Sequence, residues 1–213
     1  MTIDSFGLVP GKFIRGKYQI LEKLGDGWEG EVYLVREVST GIERTAKLFY
    51  PHRNKHFRSS KFYAKKLHKL RECNIVIQYH FQDTVYLRGQ KITYLISEFI
   101  EGELLSEFVA RQQGKRLNYF IALKLLHNLS QGLEEIHNLG EYHGDLHTDN
   151  IIVGMKGLEF EAKLLDLYNL GSSNAPLRKD DIVELIHIFH EILGGNKMYS
   201  KLPKEIKNIC CGL

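Results

Sequence analysis

The sequence predicts an α+β fold in two lobes, a strand-rich lobe over residues 1–101 and a mainly helical lobe over residues 102–213. In the first lobe, short segments rich in β-branched and aromatic residues alternate with glycine and proline turns, a pattern typical of antiparallel strands. In the second lobe, apolar residues recur at the spacing of helices that bury one face. Hydrophobic residues make up 43% of the chain and charged residues 26%, which excludes collagen-like and fully disordered chains.

Five strands and one helix are predicted in the first lobe. The strands cover residues 18–24, 31–38, 44–50, 75–81 and 92–99. Pro51 ends the third strand, because proline lacks the N–H group that a strand ladder needs. Apolar residues at positions 62, 63, 67 and 70 then predict a helix from Phe57 to Arg71.

The second lobe contains three predicted helices and a pair of short strands. The first helix covers residues 118–137, and strands at 151–153 and 162–165 flank Gly154 and Gly157. A nearly all-apolar stretch at 182–193 predicts a buried helix capped by Asp180 or Asp181. A last helix starts at Pro203, and the sequence ends inside its pattern, so we expect this lobe to be incomplete at its C-terminus.

The charge of the chain is uneven. Residues 44–71 contain ten Lys or Arg and no Asp or Glu, although the net charge of the whole chain is only +3. The basic helix from Phe57 to Arg71 is therefore predicted to bind an acidic partner, while a solvated helix face without a partner explains the same charges. No pattern of interleaved aromatic and basic residues favours nucleic acid binding.

Cysteine content and hydropathy predict a reduced, cytoplasmic setting. Three cysteines, of which Cys210 and Cys211 are adjacent, are too few for a disulfide framework. No apolar run approaches the ~20 residues that span a bilayer. The first ten residues also lack the basic start and apolar stretch of a secretory signal, so we expect no association with a membrane.

A glycine-rich motif, G-x-G-x-x-G-x-V, is formed by Gly25, Gly27, Gly30 and Val32. Because a strand is predicted on each side, the motif indicates a hairpin whose backbone N–H groups cover nucleotide phosphates, and not the strand-to-helix loop of dinucleotide-binding folds. An ordinary glycine turn is the alternative. Lys47, fifteen residues after Val32 on the third strand, is a candidate to hold phosphates with its charge.

A second polar motif follows the first helix of the second lobe. It contains His143, Asp145, His147, Asp149 and Asn150, and Asp166 follows sixteen residues after it. If this segment were a strand, the alternating His and Asp residues would share one face like the ligands of a metallohydrolase.

Taken in order, these motifs resemble the protein kinase signature over nearly the whole chain. The glycine motif and Lys47 match its N-terminal part, while His143, Asp145 and Asn150 match H-R-D-x-x-x-x-N and Asp166 matches the aspartate of D-F-G. The resemblance implies a bilobal protein kinase-like fold. Its N-terminal lobe has an antiparallel sheet with one helix, αC, and its C-terminal lobe is mainly helical.

The resemblance implies ATP and Mg²⁺ as cofactors and assigns roles to individual residues. Asp145 would accept or orient the proton of the attacking hydroxyl. Asn150 and Asp166 would bind Mg²⁺ through their side-chain oxygens. Lys47 would hold the α- and β-phosphates, and His147 stands where protein kinases place a catalytic-loop lysine.

The same resemblance implies an adenine site. Its apolar walls would be Val32, Ala46 and Ile152. The backbone of Glu98 and Ile100 would form hydrogen bonds with the edge of the base.

Several positions depart from the protein kinase pattern. Gly144 replaces an arginine, and with His147 it gives the string H-G-D-L-H-x-x-N, which is similar to aminoglycoside phosphotransferases. Only 15 positions separate Asp166 from Asp181, which resembles the aspartate of the central helix of the large lobe, and no A-P-E motif lies between them. Tyr63 stands where the αC glutamate belongs.

The resemblance therefore implies an ATP- and Mg²⁺-dependent Ser/Thr protein kinase. Two alternatives remain open. One is a small-molecule kinase of the aminoglycoside phosphotransferase type, whose acceptor is a hydroxyl of a small molecule. The other is a nucleotide-binding pseudokinase that acts as a regulatory binding module, which the missing αC acid favours.

Overall fold

The computed structural model describes residues 3–156, 159–167 and 173–210, and the chain divides into two compact units. The first unit contains the residues up to Arg71 together with Ile77–Phe99, and the second contains Glu72–Val76 and the chain from Ile100 onward. The predicted α+β class is confirmed, with strands dominating the first unit and helices the second. The first unit ends at Phe99, whereas the sequence predicted a boundary after residue 101.

The first unit is built on an antiparallel sheet, to which the described residues contribute six strands. These are β1 (Phe13–Ile14), β2 (Tyr18–Asp26), β3 (Gly30–Glu37), β4 (Glu43–Phe49), β5 (Tyr79–Leu87) and β6 (Gln90–Glu98), in the order β1-β2-β3-β4-β6-β5. The strand predicted at 75–81 was misplaced, since β5 begins only at Tyr79. The polar residues Gln82 and Asp83 interrupt the apolar pattern there, and an edge strand such as β5 tolerates them.

The two faces of this sheet differ because side chains alternate along each strand. Ala46 and Leu48 of β4 belong to a buried hydrophobic cluster on one face. The N-terminal segment completes that cluster with Ile3 and Phe6, which are both buried. Lys47, between Ala46 and Leu48, projects to the opposite face.

Helix α1 (Arg58–Lys69) packs on that opposite face, where the ring of Tyr63 meets the ring of Phe49 edge to face, with 6.4 Å between their centres. The predicted helix from Phe57 to Arg71 is confirmed to within two residues at each end. Just before it, the Asn54 side-chain oxygen accepts a hydrogen bond from the Ser60 N–H (3.1 Å), so an amide group satisfies one of the unpaired N–H groups of the first turn.

The second unit combines helices with a small sheet. Its helices are α2 (Leu105–Arg111), α3 (Tyr119–Asn138), α4 (Ala175–Ile192), α5 (Asn196–Tyr199) and α6 (Lys204–Ile209), and its strands are β7 (Glu103–Leu104), β8 (Ile151–Lys156) and β9 (Glu159–Leu164). Asn118 caps α3 by accepting from the Ile121 N–H (3.0 Å). A Cβ at Gly132 would lie 2.4 Å from Ile75, so only glycine lets the 72–76 segment lie against α3.

Helix α4 begins earlier than predicted. Its N-cap is Asn174, whose side chain accepts from the Leu177 N–H (3.0 Å), and Pro176 occupies the first turn. The predicted cap at Asp180 or Asp181 is therefore wrong. Asp181 lies inside the helix and is only 2% exposed, while Asp180 is exposed.

Some sequence predictions concern positions outside the described residues, namely those for Gly157 and for the chain after Cys210. Within the described part of the chain, every helix is too short or too polar to cross a lipid bilayer.

Candidate active site

The glycine-rich motif forms the hairpin between β2 and β3, as predicted from the strand on each side of it. The turn is closed by a hydrogen bond from the Gly27 N–H to the Gly30 carbonyl oxygen (2.9 Å). A Cβ at Gly30 would lie 1.9 Å from the carbonyl oxygen of Leu48, so packing against β4 requires glycine there. Gly25 and Gly27 have no atom within 4 Å of such a Cβ, so their backbone is open to close approach by a ligand.

Lys47 lies on β4 directly opposite Val32 of β3, and both side chains therefore project from the same face. Ala46 was predicted to contact adenine on that face, and this prediction is wrong. Its side chain is fully buried in the hydrophobic cluster on the other side of the sheet. Thr45 is the neighbour that shares the Lys47 face, because side chains alternate along a strand.

The ammonium group of Lys47 is held by aromatic rings and by one carboxylate of the glycine-rich loop. It lies 4.7 Å from the centre of the Tyr63 ring and 5.7 Å from that of Phe49, at distances typical of cation–π contacts. It also lies 3.5 Å from a carboxylate oxygen of Glu29. Lys47 is only 11% exposed, which strengthens these electrostatic contacts. Tyr63 thus occupies the position beside Lys47 at which the resemblance to protein kinases predicted a glutamate.

A buried carboxylate, Glu31, supports the base of the glycine-rich hairpin. It accepts hydrogen bonds from the side chains of Ser5 (2.9 Å), Lys23 (3.0 Å) and Tyr33, and from the backbone N–H of Phe6 (3.2 Å). Burial on its own raises the pKa of the Glu31 carboxyl, but these hydrogen bonds outweigh it and hold that pKa below its ordinary value. Burial and the Glu31 charge raise the pKa of the Tyr33 hydroxyl.

The remaining residues of the predicted adenine site lie in different parts of the chain. Glu98 ends β6, and its backbone N–H donates to the Gln78 carbonyl oxygen (3.0 Å). Ile100 begins the second part of the second unit, and Ile152 lies on β8 opposite Leu104. Ile100 and Ile152 are both partly exposed.

Asp181 fixes the start of the catalytic loop that was predicted over residues 143–150. Its carboxylate accepts hydrogen bonds from the backbone N–H groups of His143 (2.7 Å) and Gly144 (2.8 Å), and it lies 2.9 Å from Nε2 of His137. Asp181, a residue of α4, therefore fixes the conformation of the backbone that leads to Asp145.

Asn150 organises the other end of the loop. Its amide nitrogen donates to the Asp145 carbonyl oxygen (2.8 Å) and lies 2.9 Å from Nε2 of His147. The carboxylate of Asp145 lies 3.3 Å from the same amide nitrogen, and its side chain is 52% exposed. The structure thus brings together three of the predicted catalytic residues, Asp145, His147 and Asn150, and leaves the Asp145 carboxylate accessible.

Asp166 is tied to the same loop through its neighbour Leu165. The Leu165 N–H donates to the Asn150 carbonyl oxygen (2.8 Å), and the Leu165 carbonyl oxygen lies 2.8 Å from Nε2 of His143. Asp166 itself has a left-handed backbone, with φ of 46°, which is uncommon for a residue other than glycine. Tyr168, which stands at the position of the glycine of D-F-G, lies outside the described residues.

The donor set of this loop fits Mg²⁺. The Asn150 amide nitrogen faces Asp145, so the amide oxygen points away from Asp145 and can bind a cation. Asp166 supplies a carboxylate as the second ligand. Mg²⁺ prefers such hard oxygen ligands and retains several waters, so one carboxylate and one amide are a sufficient protein contribution.

The alternative of a metallohydrolase loses its geometric basis. Residues 148–150 form a 3-10 turn and not a strand, and the His143 ring is fully buried against the Leu165 carbonyl oxygen. Within residues 3–156, 159–167 and 173–210, no group of three or more His, Cys, Asp or Glu side chains is arranged to hold a metal ion.

Sequence reasoning missed Glu29 as a partner of Lys47 and Asp181 as an anchor of the loop. It also missed Thr45, which the two-residue period of a strand could have identified. The resemblance had singled out Asp181 as the aspartate of the central helix, but no short-range pattern predicted its bond to Gly144, which is 37 positions away.

Comparisons with known proteins agree with this arrangement. Residues 18–199 match the sequence profile of the protein kinase domain. Cyclin-dependent kinase B2-1 of Oryza sativa is 28% identical over 200 residues, which cover 91% of this chain and 60% of that protein. Serine/threonine-protein kinase pkn2 of Myxococcus xanthus is 30% identical over 156 residues, covering 71% and 18%.

A solved structure shows the same fold. A variant of the PknI kinase domain of Mycobacterium tuberculosis superposes with a TM-score of 0.68 at 19% identity, covering 93% of this chain and 83% of that one. The two sequence relatives are longer than the chain, which spans 60% and 18% of their lengths. Because the profile match extends over most of its residues, the chain belongs to the protein kinase domain family.

Proposed function

We propose that the chain transfers the γ-phosphate of ATP to a serine or threonine hydroxyl of a protein. The observation that carries this proposal is the exposed Asp145 carboxylate, one oxygen of which lies 3.3 Å from the Asn150 amide nitrogen. The similarity to proteins named serine/threonine-protein kinases supports the choice of acceptor.

In this proposal, the first unit binds the nucleotide. The open backbone at Gly25 and Gly27 approaches the phosphates, and Lys47 contributes a positive charge to them. Val32, opposite Lys47, contacts the base, and so does Thr45 in place of the predicted Ala46. Lys47 must leave Glu29 in order to bind the phosphates, because one ammonium group cannot pair fully with a carboxylate and a phosphate.

The second unit supplies the reacting groups. Asn150 and Asp166 would hold Mg²⁺, which neutralises phosphate charge during phosphoryl transfer. Asp145 accepts or orients the proton of the attacking hydroxyl. Its exposure allows a substrate hydroxyl to reach it, and phosphoryl transfer depends mainly on such positioning.

A nucleotide-binding module without transfer activity is the second candidate. It is favoured by the aromatic partners of Lys47, because neither Tyr63 nor Phe49 supplies the negative charge that a glutamate on α1 would supply. A small-molecule acceptor is favoured only by the H-G-D-L-H-x-x-N string and by the short stretch from Asp166 to Asp181.

The test is incubation with Mg-ATP and either dephosphorylated casein or kanamycin, with ADP release and product mass as readouts. Asp145→Asn is expected to lower the rate ~10²–10⁴-fold, the usual contribution of a positioned acid or base. Asp149→Asn, which changes an exposed carboxylate four positions along the chain, is expected to stay within about twofold, since 64% of that side chain is exposed.

The outcomes separate the candidates. Phosphorylated casein that depends on Asp145 supports the protein kinase, and phosphorylated kanamycin alone supports the small-molecule enzyme. If Mg-ATP raises the melting temperature but neither acceptor is modified, the binding module is correct and the proposed transfer is wrong.

A further inference from the structure

The tip of the glycine-rich loop carries an exposed tryptophan that is held by a cation. Trp28 stands between Gly27 and Glu29 and is 60% exposed. The guanidinium carbon of Arg53 lies 4.0 Å from the centre of the Trp28 ring, at a distance typical of a stacked cation–π contact. Arg53 belongs to the turn that follows β4, so this contact ties the loop between β2 and β3 to the end of a neighbouring strand.

The backbone around this stack is fixed independently of the two side chains. The Tyr50 N–H donates to the Glu29 carbonyl oxygen (2.8 Å), which joins the loop to the residue after β4. The Arg53 N–H donates to the Tyr50 carbonyl oxygen (3.0 Å), and the Arg53 carbonyl oxygen accepts from the Ser59 hydroxyl (3.1 Å). These bonds use only the backbone of Arg53. Because its side chain is exposed, truncation of that side chain leaves the turn and the core intact.

The stack and the ion pair of Lys47 hold the same loop in one position. Trp28 and Glu29 are consecutive, and the Glu29 carboxylate lies 3.5 Å from the Lys47 ammonium group. The loop thus approaches Lys47 at the place proposed for the phosphates. A nucleotide displaces Glu29 from Lys47, since phosphate competes for the same cation. The stack does not involve Lys47 and is therefore compatible with a bound nucleotide.

We propose that the stack of Trp28 and Arg53 is a gate that must part before a nucleotide enters or leaves. The proposal rests on the nucleotide binding proposed for the first unit. Arg53 is here a positioning residue, which holds the loop tip in the nucleotide-free chain and over the bound nucleotide. A contact made equally in both states slows entry and exit alike and leaves the affinity unchanged. Glu29 acts differently, because it competes for Lys47 only in the nucleotide-free chain and so lowers the affinity.

The test is stopped-flow binding of N-methylanthraniloyl-ATP (mant-ATP) with Mg²⁺ to the folded chain. Trp28 is the single tryptophan, so energy transfer from its ring to the mant group reports binding at the loop itself. Arg53→Ala is expected to raise the association and dissociation rate constants about threefold each, the scale of an exposed cation–π contact, with Kd unchanged within about twofold. Arg53→Lys keeps the charge without the planar guanidinium and should give intermediate rates.

The direction of the change in association separates a gate from a general charge effect. Removal of a cation near the site would slow the approach of an anionic nucleotide, whereas loss of the gate accelerates its entry. Arg58→Ala is the matched control, because it removes the same charge from an exposed position at the start of α1. Its two rate constants should not exceed those of the wild type.

A second measurement needs no nucleotide. Time-resolved anisotropy of Trp28 should show a larger nanosecond motion in Arg53→Ala than in the wild type or in Arg58→Ala. Unchanged anisotropy, slower association or unchanged rate constants in Arg53→Ala would each overturn the gate. If mant-ATP binds the wild type but Arg53→Ala leaves both rates unchanged, the gate alone is wrong. If the wild type does not bind mant-ATP at all, the proposed nucleotide site is wrong and the gate falls with it.

Discussion

The ammonium group of Lys47 lies 4.7 Å from the centre of the Tyr63 ring, in a largely buried position on the α1 face of the first sheet. An aromatic ring attracts a cation through its quadrupole but carries no net charge. Lys47 is therefore held in place without being neutralised by α1. Glu29, a carboxylate of the glycine-rich loop, lies 3.5 Å from the same ammonium group.

Removal of the Tyr63 ring should weaken nucleotide binding. A cation–π contact of this kind contributes ~1 kcal/mol, so Tyr63→Leu is expected to lower the affinity for Mg-ATP about fivefold by releasing Lys47 from its position. Tyr63→Phe keeps the ring and should remain within about twofold. Isothermal titration with Mg-ATP measures both, and equal losses in the two variants would contradict a role for the ring.

Glu29 should compete with the nucleotide for Lys47. Glu29→Gln removes a carboxylate 3.5 Å from the ammonium group, and we expect it to raise the affinity for Mg-ATP about three- to fivefold. Asp26→Asn is the matched control, because Asp26 is exposed and pairs with Lys23 (2.6 Å). Titration at low and high salt checks the electrostatic origin, since the gain should shrink as salt rises. An equal gain in Asp26→Asn would indicate a general charge effect.

Asp181 should matter for both stability and activity. Asp181→Asn leaves two backbone N–H groups of the loop with a poorer acceptor, and we expect the free energy of unfolding to fall by about 3 kcal/mol. Asp180→Asn changes an exposed neighbour and should be nearly neutral. Urea denaturation measures the difference, and the rate of phosphate transfer at a temperature where both variants are folded measures the loss of loop position. Identical denaturation curves would refute the anchoring role.

Stability should depend on pH through Glu31. The pKa of this carboxyl is lower in the folded chain than its ordinary value of 4.5, so its contribution to the free energy of unfolding is complete above about pH 4.5 and is lost as the pH falls further. Glu31→Gln should lower stability at pH 7 by about 2 kcal/mol and flatten this acid-side dependence. Glu22→Gln, at an exposed position of β2, is the control. Parallel acid profiles for the wild type and Glu31→Gln would contradict the assignment.

Much of the fold follows from local patterns. The alternation of apolar residues fixed most strands of the first sheet, and the helical period located α1 and α3 near their observed bounds. The fourth predicted strand was misplaced because an edge strand does not need a continuous apolar face. The start of α4 was misjudged because Asn174 and Pro176 form the cap signal before the apolar run begins.

The site was less predictable, because its contacts are long-range. Motif spacing identified Asp145, Asn150 and Lys47. The assignment of Ala46 to the adenine site was wrong because side chains alternate along a strand, which places Ala46 in the hydrophobic cluster on the opposite face from Lys47. The role of Asp181 depends on hydrogen bonds that span 37 and 38 positions of sequence. Such contacts are created by packing, which a local pattern does not encode.

Some of the contacts that hold the N-terminal segment come from a residue that is made much later. Arg88 donates to the carbonyl oxygens of Ser5 (3.1 Å) and Phe6 (3.4 Å), and 83 positions separate Arg88 from Ser5. At ~5–20 residues per second of synthesis, roughly 4–17 s pass between the two. During that interval the apolar side chains of Ile3 and Phe6 have no completed sheet to cover them. The sheet of the first unit therefore closes late on the ribosome, and the first residues of the nascent chain gain their full set of contacts only after β6 has emerged.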